Sequence, residues 1–191
     1  MKYLVFVFIM CANLLFSQYD DSIARNSAGL IGNYSIFLGD YGATYDNGVG
    51  IGLVYEHREV REYSLGATVS YQRWADVRNN SESFLNRNFI DNLKIGGFAK
   101  AHIQAPDGYD AYFGIGLSYN SVDYISDINQ GNNRFARFSS NEGALGVDGF
   151  FGFRTRIYEN IKADAKANLG WLGIENSTFF VSFDVGVIYE F

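Results

Sequence analysis

Ten ionisable residues fall on the same side of a two-residue alternation: Glu56, Lys94, Lys100, Asp148, Arg154, Lys162, Asp164, Lys166, Asp184 and Glu190. Five are acidic and five basic. Opposite charges gathered on one face of successive strands can pair across an enclosed space, and a buried charge left without a partner is costly. The balance therefore favours a packed interior over an open channel. Near the ends of their strands, Glu56, Lys100, Arg154, Lys162, Asp164 and Glu190 are placed to pair across a lumen and plug it. Two other readings use the same charges: a stabilising core with no transport role, and a narrow water path gated by the pairs.

The rest of the chain offers little chemistry. The histidines His57 and His102 fall at short turns, with no nearby acid–serine arrangement to activate a nucleophile. Neither is expected to hold a metal. Gly48, Gly50 and Gly52 alternate along a strand and open no helix, which fits barrel curvature and not phosphate binding. No enzyme activity and no cofactor are expected. Asn, Arg and aromatic residues do collect in two long polar stretches, around Arg78 and Arg87 in one and Arg134 and Arg137 in the other. That mixture suits recognition of an external ligand or of lipopolysaccharide phosphates, although loops are commonly polar for no such reason.

The elements that must position these charges are eight segments, 28–38, 49–56, 63–72, 93–102, 111–120, 145–154, 162–171 and 179–191, each alternating apolar with small or polar residues. The third is the cleanest, with Tyr63, Leu65, Ala67, Val69 and Tyr71 against Ser64, Gly66, Thr68, Ser70 and Gln72. Links 39–48, 75–91, 123–141 and 172–178 are long or glycine-rich. Those at 57–62, 105–108 and 157–160 are short turns. A transmembrane barrel with short periplasmic turns and long external loops has this rhythm, and about 9–11 residues cross a bilayer with tilt. The expected fold is all-β, an eight-stranded antiparallel up-and-down transmembrane β-barrel. A soluble barrel of the lipocalin kind would have to fit the aromatic-rich face into a lumen with room only for filling side chains or one small ligand. Too many rings would compete for that space.

Residues 1–17 contain one lysine, an apolar run from Tyr3 to Met10 and small or polar residues towards Gln18, the pattern of a cleaved signal peptide. Cys11 lacks the small preceding residue of a lipoprotein site and counts as part of that apolar run. Residues 18–191 then form one barrel domain, without cysteine, carrying fourteen basic against twenty-one acidic residues. No basic patch dominates, so nucleic acid is not an expected partner.

The chain end adds a resemblance. Asp184, Gly186, Tyr189 and Phe191 are similar to the C-terminal assembly signal of bacterial outer-membrane barrels: a polar residue, glycine two on, then aromatics at the third-last and last positions. The whole mature chain resembles, by pattern, the eight-stranded OmpX/OmpA-type family, and a leader ending Phe-Ser-Gln resembles those of Bacteroidetes exports. The resemblance implies a Gram-negative outer-membrane location among lipid and lipopolysaccharide, with insertion by the barrel-assembly machinery. The polar loops and the charged interior, taken together, suggest a structural or adhesin-like surface role, with a narrow channel or small-molecule uptake barrel as the alternative.

Overall fold

The computed structural model describes residues 25–58, 60, 62–76, 86–104, 109–129, 135–174 and 177–191. The expected signal peptide, the turn 105–108, Arg78 and Arg134 lie outside the described residues, and of Arg87 only the backbone is described.

Eight strands and a short helix follow in order: β1 (Arg25–Phe37), α1 (Asp40–Thr44), β2 (Gly48–Arg58), β3 (Tyr63–Ala75), β4 (Asn86–Gln104), β5 (Tyr109–Asn129), β6 (Phe135–Tyr158), β7 (Ile161–Leu172) and β8 (Thr178–Glu190). Every strand pairs antiparallel with its sequence neighbour, and β1 pairs with β8, so the sheet closes into an up-and-down barrel. At the seam, Asn26 N donates to Phe191 O at 3.1 Å and Phe191 N donates to Asn26 O at 2.8 Å. Closure leaves no edge strand unpaired. One end of the barrel carries the short turns and the point where Asn26 meets Phe191; the other carries the long links. Between β1 and β2, Gly39 takes φ of 76°, open to glycine because it lacks a Cβ, as the chain turns into α1.

Alternation sorts the side chains by face. Leu53, Ile115, Leu145, Phe151 and Val185 are each more than 60% exposed on the outside, while Ser35, Ser64, Asn120 and Glu56 on the inside are buried. A continuous apolar belt of this kind is rare on a soluble monomer. Aromatic residues border it: Tyr109 stacks on Phe153 and Tyr189 on Phe191 at the short-turn end, and Tyr71 and Tyr119 lie towards the other.

Strand lengths depart from the sequence expectation on one side of the barrel. β1, β2, β3, β7 and β8 have 11 to 13 residues. β4, β5 and β6 have 19, 21 and 24, and continue into stretches expected to be loops. Beyond the apolar belt their outward residues turn polar, as at Ser121, Asp123, Ser139 and Asn141, so the hydropathy alternation fades. The backbone ladder nonetheless continues unbroken to Asn129↔Phe135. The pairing partner, not the hydropathy, sets the strand's length here.

Inside the barrel, glycines sit directly across from large side chains. Gly66, Gly114, Gly152 and Gly170 pair with Phe98, Phe150, Tyr112 and Phe180, and a Cβ at any of the four would collide with the facing ring. Gly48 leaves room for Trp74 in the same way. These glycines are sockets that let an eight-stranded lumen hold aromatic rings, a more specific role than the curvature expected of Gly48.

Candidate functional site

The ten charged residues all point into the lumen or its rim, and each is in an ion pair. At the short-turn end Glu56 accepts from Lys100 Nζ at 2.7 Å and from Arg154 at 2.9 Å, and Arg154 Nε lies 3.5 Å from Asp164. These residues come from β2, β4, β6 and β7, so the network crosses the lumen instead of running along one strand pair. Glu56 and Arg154 are each 2% exposed. Tyr112 Oη donates to Asp164 at 2.7 Å, and its ring lies 4.4 Å from Lys100 Nζ. Lys162 pairs with Glu190 at 2.5 Å. Higher in the lumen, Lys94 pairs with Asp148 at 2.6 Å and Lys166 with Asp184 at 3.1 Å. Burying these ions removes hydration that only their partners replace, which is why the set must balance.

His102 belongs to this network, contrary to the expectation of a lone turn histidine. Its Nε2 lies 2.8 Å from Ser64 Oγ, its Nδ1 3.0 Å from Asp110 Oδ2, and Glu56 Oε1 is 3.5 Å from Nε2. A carboxylate only accepts, so Nδ1 donates to Asp110, while Ser64 and the more distant Glu56 carboxylate face Nε2. The order serine, histidine, aspartate is that of a nucleophilic triad. Sequence proximity could not reveal it, because Ser64 and Asp110 reach His102 from neighbouring strands. Ser64 is 2% exposed and the His102 side chain 0%, and Ser64 does not line the lumen cavity. His57, at the rim, instead bonds Asn26 Oδ1 through Nδ1 at 2.9 Å. Among the described residues, no group of three or more His, Cys, Asp or Glu is arranged to hold a metal ion.

Mid-lumen, a cavity of about 40 Å³ is lined by Asn33, Gln72, Asn92, Lys94, Asp148 and Lys166, among others. That is room for on the order of three waters. Asn33 Oδ1 and Asn92 Oδ1 are buried without a protein partner, and water is the partner such a polar cavity admits.

Above the cavity the interior changes character. Phe37, Trp74, Ile90, Val122, Ala144, Leu172 and Ile174 form a buried apolar cluster across the long-link end. Phe37 packs 4.7 Å from Trp74 and 5.6 Å from Tyr41, centroid to centroid. The Tyr41 and Tyr124 hydroxyls meet at 3.4 Å over the cluster, and burial, with that contact, pushes the Tyr124 hydroxyl above the usual tyrosine range. Hydropathy alternation alone does not reveal this cap, because most of its residues lie just beyond the ends of the alternating segments. Inward parity, carried one to three residues past each segment, reaches Trp74, Ile90, Val122, Ala144 and Leu172.

At the chain end, Asp184 and Gly186 face inward, whereas Tyr189 and Phe191 are exposed on the outside, 6.1 Å apart. Arg137 is exposed on β6, and Arg87 belongs to β4, so both lie on strands and not in loops. Outside the barrel near the long-link end, Arg73 makes a two-pronged pair with Asp91, both contacts 2.6 Å.

A closed eight-stranded barrel with an apolar outer belt and a filled lumen is a known architecture, and the resemblance extends to solved structures. Neisserial surface protein A matches with a TM-score of 0.62 at 15% identity, over 87% of this chain and 97% of that one. Ail, the attachment invasion locus protein of Yersinia pestis, solved with the heparin analogue sucrose octasulfate, matches at 0.59 and 14%, over 88% and 99%. The outer membrane protein OprG of Pseudomonas aeruginosa matches at 0.55 and 12%, over 89% and 97%. No family model and no curated protein sequence matches the chain. At these identities the likeness is one of fold.

Proposed function

We propose that this chain is a small outer-membrane barrel of a Gram-negative cell with a closed lumen, serving as a structural or surface-recognition protein through its long-link end. The observation that carries the reading is the filling of the interior: paired charges at one end, an apolar cap at the other, and a cavity of about 40 Å³ between them. The apolar belt faces lipid, the short turns face the periplasm, and the long-link end faces outward. Residues 1–17 direct export. Asp184, Gly186, Tyr189 and Phe191 present the closing strand to the barrel-assembly machinery. Arg78, Arg87, Arg134 and Arg137 are the residues proposed to meet lipopolysaccharide phosphates or another anionic ligand. The protein has no catalytic role on this reading, since the triad-like set is sealed from substrate.

The mid-lumen cavity is the one observation favouring a narrow channel as the second reading. Heat-modifiable gel mobility of membrane fractions tests the barrel, and single-channel recording in planar bilayers separates the two readings. The closed lumen predicts no sustained opening; a stable, large open state overturns it.

A further inference from the structure

Above the cap, β4, β5 and β6 continue as a three-stranded flap over the barrel mouth. Its inward face and Tyr45 line an open hollow of about 390 Å³, within the size range of small-molecule sites. The cross-strand row Asn88, Ser126 and Phe138, with neighbouring Tyr124 and Ser140, builds the wall. Phe138 is 56% exposed, and Tyr45 and Tyr124 are half-buried beside it. Ser126 Oγ donates to Asn88 Oδ1 at 2.7 Å, while Asn88 Nδ2 donates to Asp76 at 3.0 Å, so the amide is held in one orientation. Among the described residues lining the hollow, none is charged.

Rings flanked by hydroxyls and an amide match a ligand with apolar C–H faces and hydroxyl edges. Tyr and Phe supply rigid contact area, and Ser supplies adaptable hydrogen bonds. A phosphate or sulfate group would call for cations at the wall. A purely apolar chain would leave the Ser140 hydroxyl without a partner. We infer that the flap hollow binds a neutral saccharide, with Phe138 as stacking platform. The inference rests on the reading that this end faces the medium and names a ligand class for it.

The test uses the full chain refolded into phosphatidylcholine nanodiscs, its closure verified by heat-modifiable mobility. Cellobiose and N,N′-diacetylchitobiose are titrated, with a sulfated heparin disaccharide as charged comparator, and binding is followed by saturation transfer from aromatic protons. At least one neutral disaccharide should saturate, and Phe138→Ala should weaken it about tenfold with closure intact. Saturation by the sulfated sugar alone, equal binding by wild type and variant, or no saturation by either neutral sugar overturns the inference. A tag inserted at 130–134 and probed on intact cells tests the orientation separately. Neutral-sugar binding in nanodiscs with a tag sealed from the medium sinks the outward orientation and upholds the hollow. A reachable tag with no nanodisc binding does the reverse.

Discussion

The two ends of the lumen are closed by opposite means. At the short-turn end, Glu56, Lys100, Arg154 and Asp164 fill the interior with ions whose positions are dictated by one another. At the long-link end, Phe37, Trp74, Ile90, Val122 and Leu172 fill it by contact alone. Burial of apolar surface is stabilising in proportion to area, whereas a buried ion pair roughly breaks even once desolvation is counted. The difference implies a division of labour. The cap holds the barrel shut, and the charged network decides which strand faces which, because a register slip of one residue would leave ions facing outward.

The largest expected effects set the ends directly against each other. Glu56→Ala leaves Lys100 and Arg154 without their shared carboxylate and should destabilise the barrel by about 3–5 kcal/mol. Replacing Lys100 by Met in the same chain should recover most of that loss, since Arg154 keeps Asp164 as its partner and no unpaired ion remains. Trp74→Ala should cost a comparable amount, about 3–5 kcal/mol, but adding Phe37→Ala should deepen the loss instead of relieving it. Urea unfolding in lipid vesicles, scored by gel mobility, measures both series. A double charge variant, Glu56→Ala with Lys100→Met, that is no more stable than Glu56→Ala alone would erase the proposed difference between the ends.

A smaller effect sharpens the role of space at the cap. Gly48→Val places a branched side chain where the Trp74 ring lies, and should destabilise by about 1–3 kcal/mol. Gly149, on the outer face, has nothing within 4 Å of a built Cβ. Gly149→Ala should stay within about 0.5 kcal/mol of wild type by the same unfolding measurement. Equal costs at both sites would mean that the inward glycines serve backbone shape and not ring packing.

These contrasts track what the sequence could and could not reveal. The strand count, the closing order and the inward parity of residues such as Lys94 and Asp184 follow from alternation against an apolar outer face. The partners of each charge do not, because Glu56 meets Arg154 across the barrel, 98 residues away in sequence. The cap and flap were hidden for a different reason. β4, β5 and β6 keep their pairing where the outer face becomes polar, so a search for one-sided hydropathy stops at about Tyr119 while the ladder runs to Asn129. Ile90 then reads as an apolar residue within a loop, and Val122 as one just past the end of its strand.

At Ser64, geometry and burial point in opposite directions. Its distance to His102 and the Asp110 contact beyond would suit a nucleophile, but a nucleophile must be reached by its substrate and have donors for the oxyanion. Ser64 is sealed among strands at the charged end, so its hydroxyl is better explained as the hydrogen-bond partner of His102 Nε2. Ser64→Ala should then cost about 1 kcal/mol, the value of one buried hydrogen bond, and leave ester hydrolysis by the refolded barrel at background. Covalent labelling of the wild-type barrel by a fluorophosphonate, lost in Ser64→Ala, would instead show that the charged end opens to the solvent. A network that opens in this way could not be the register-setting seal contrasted above with the cap.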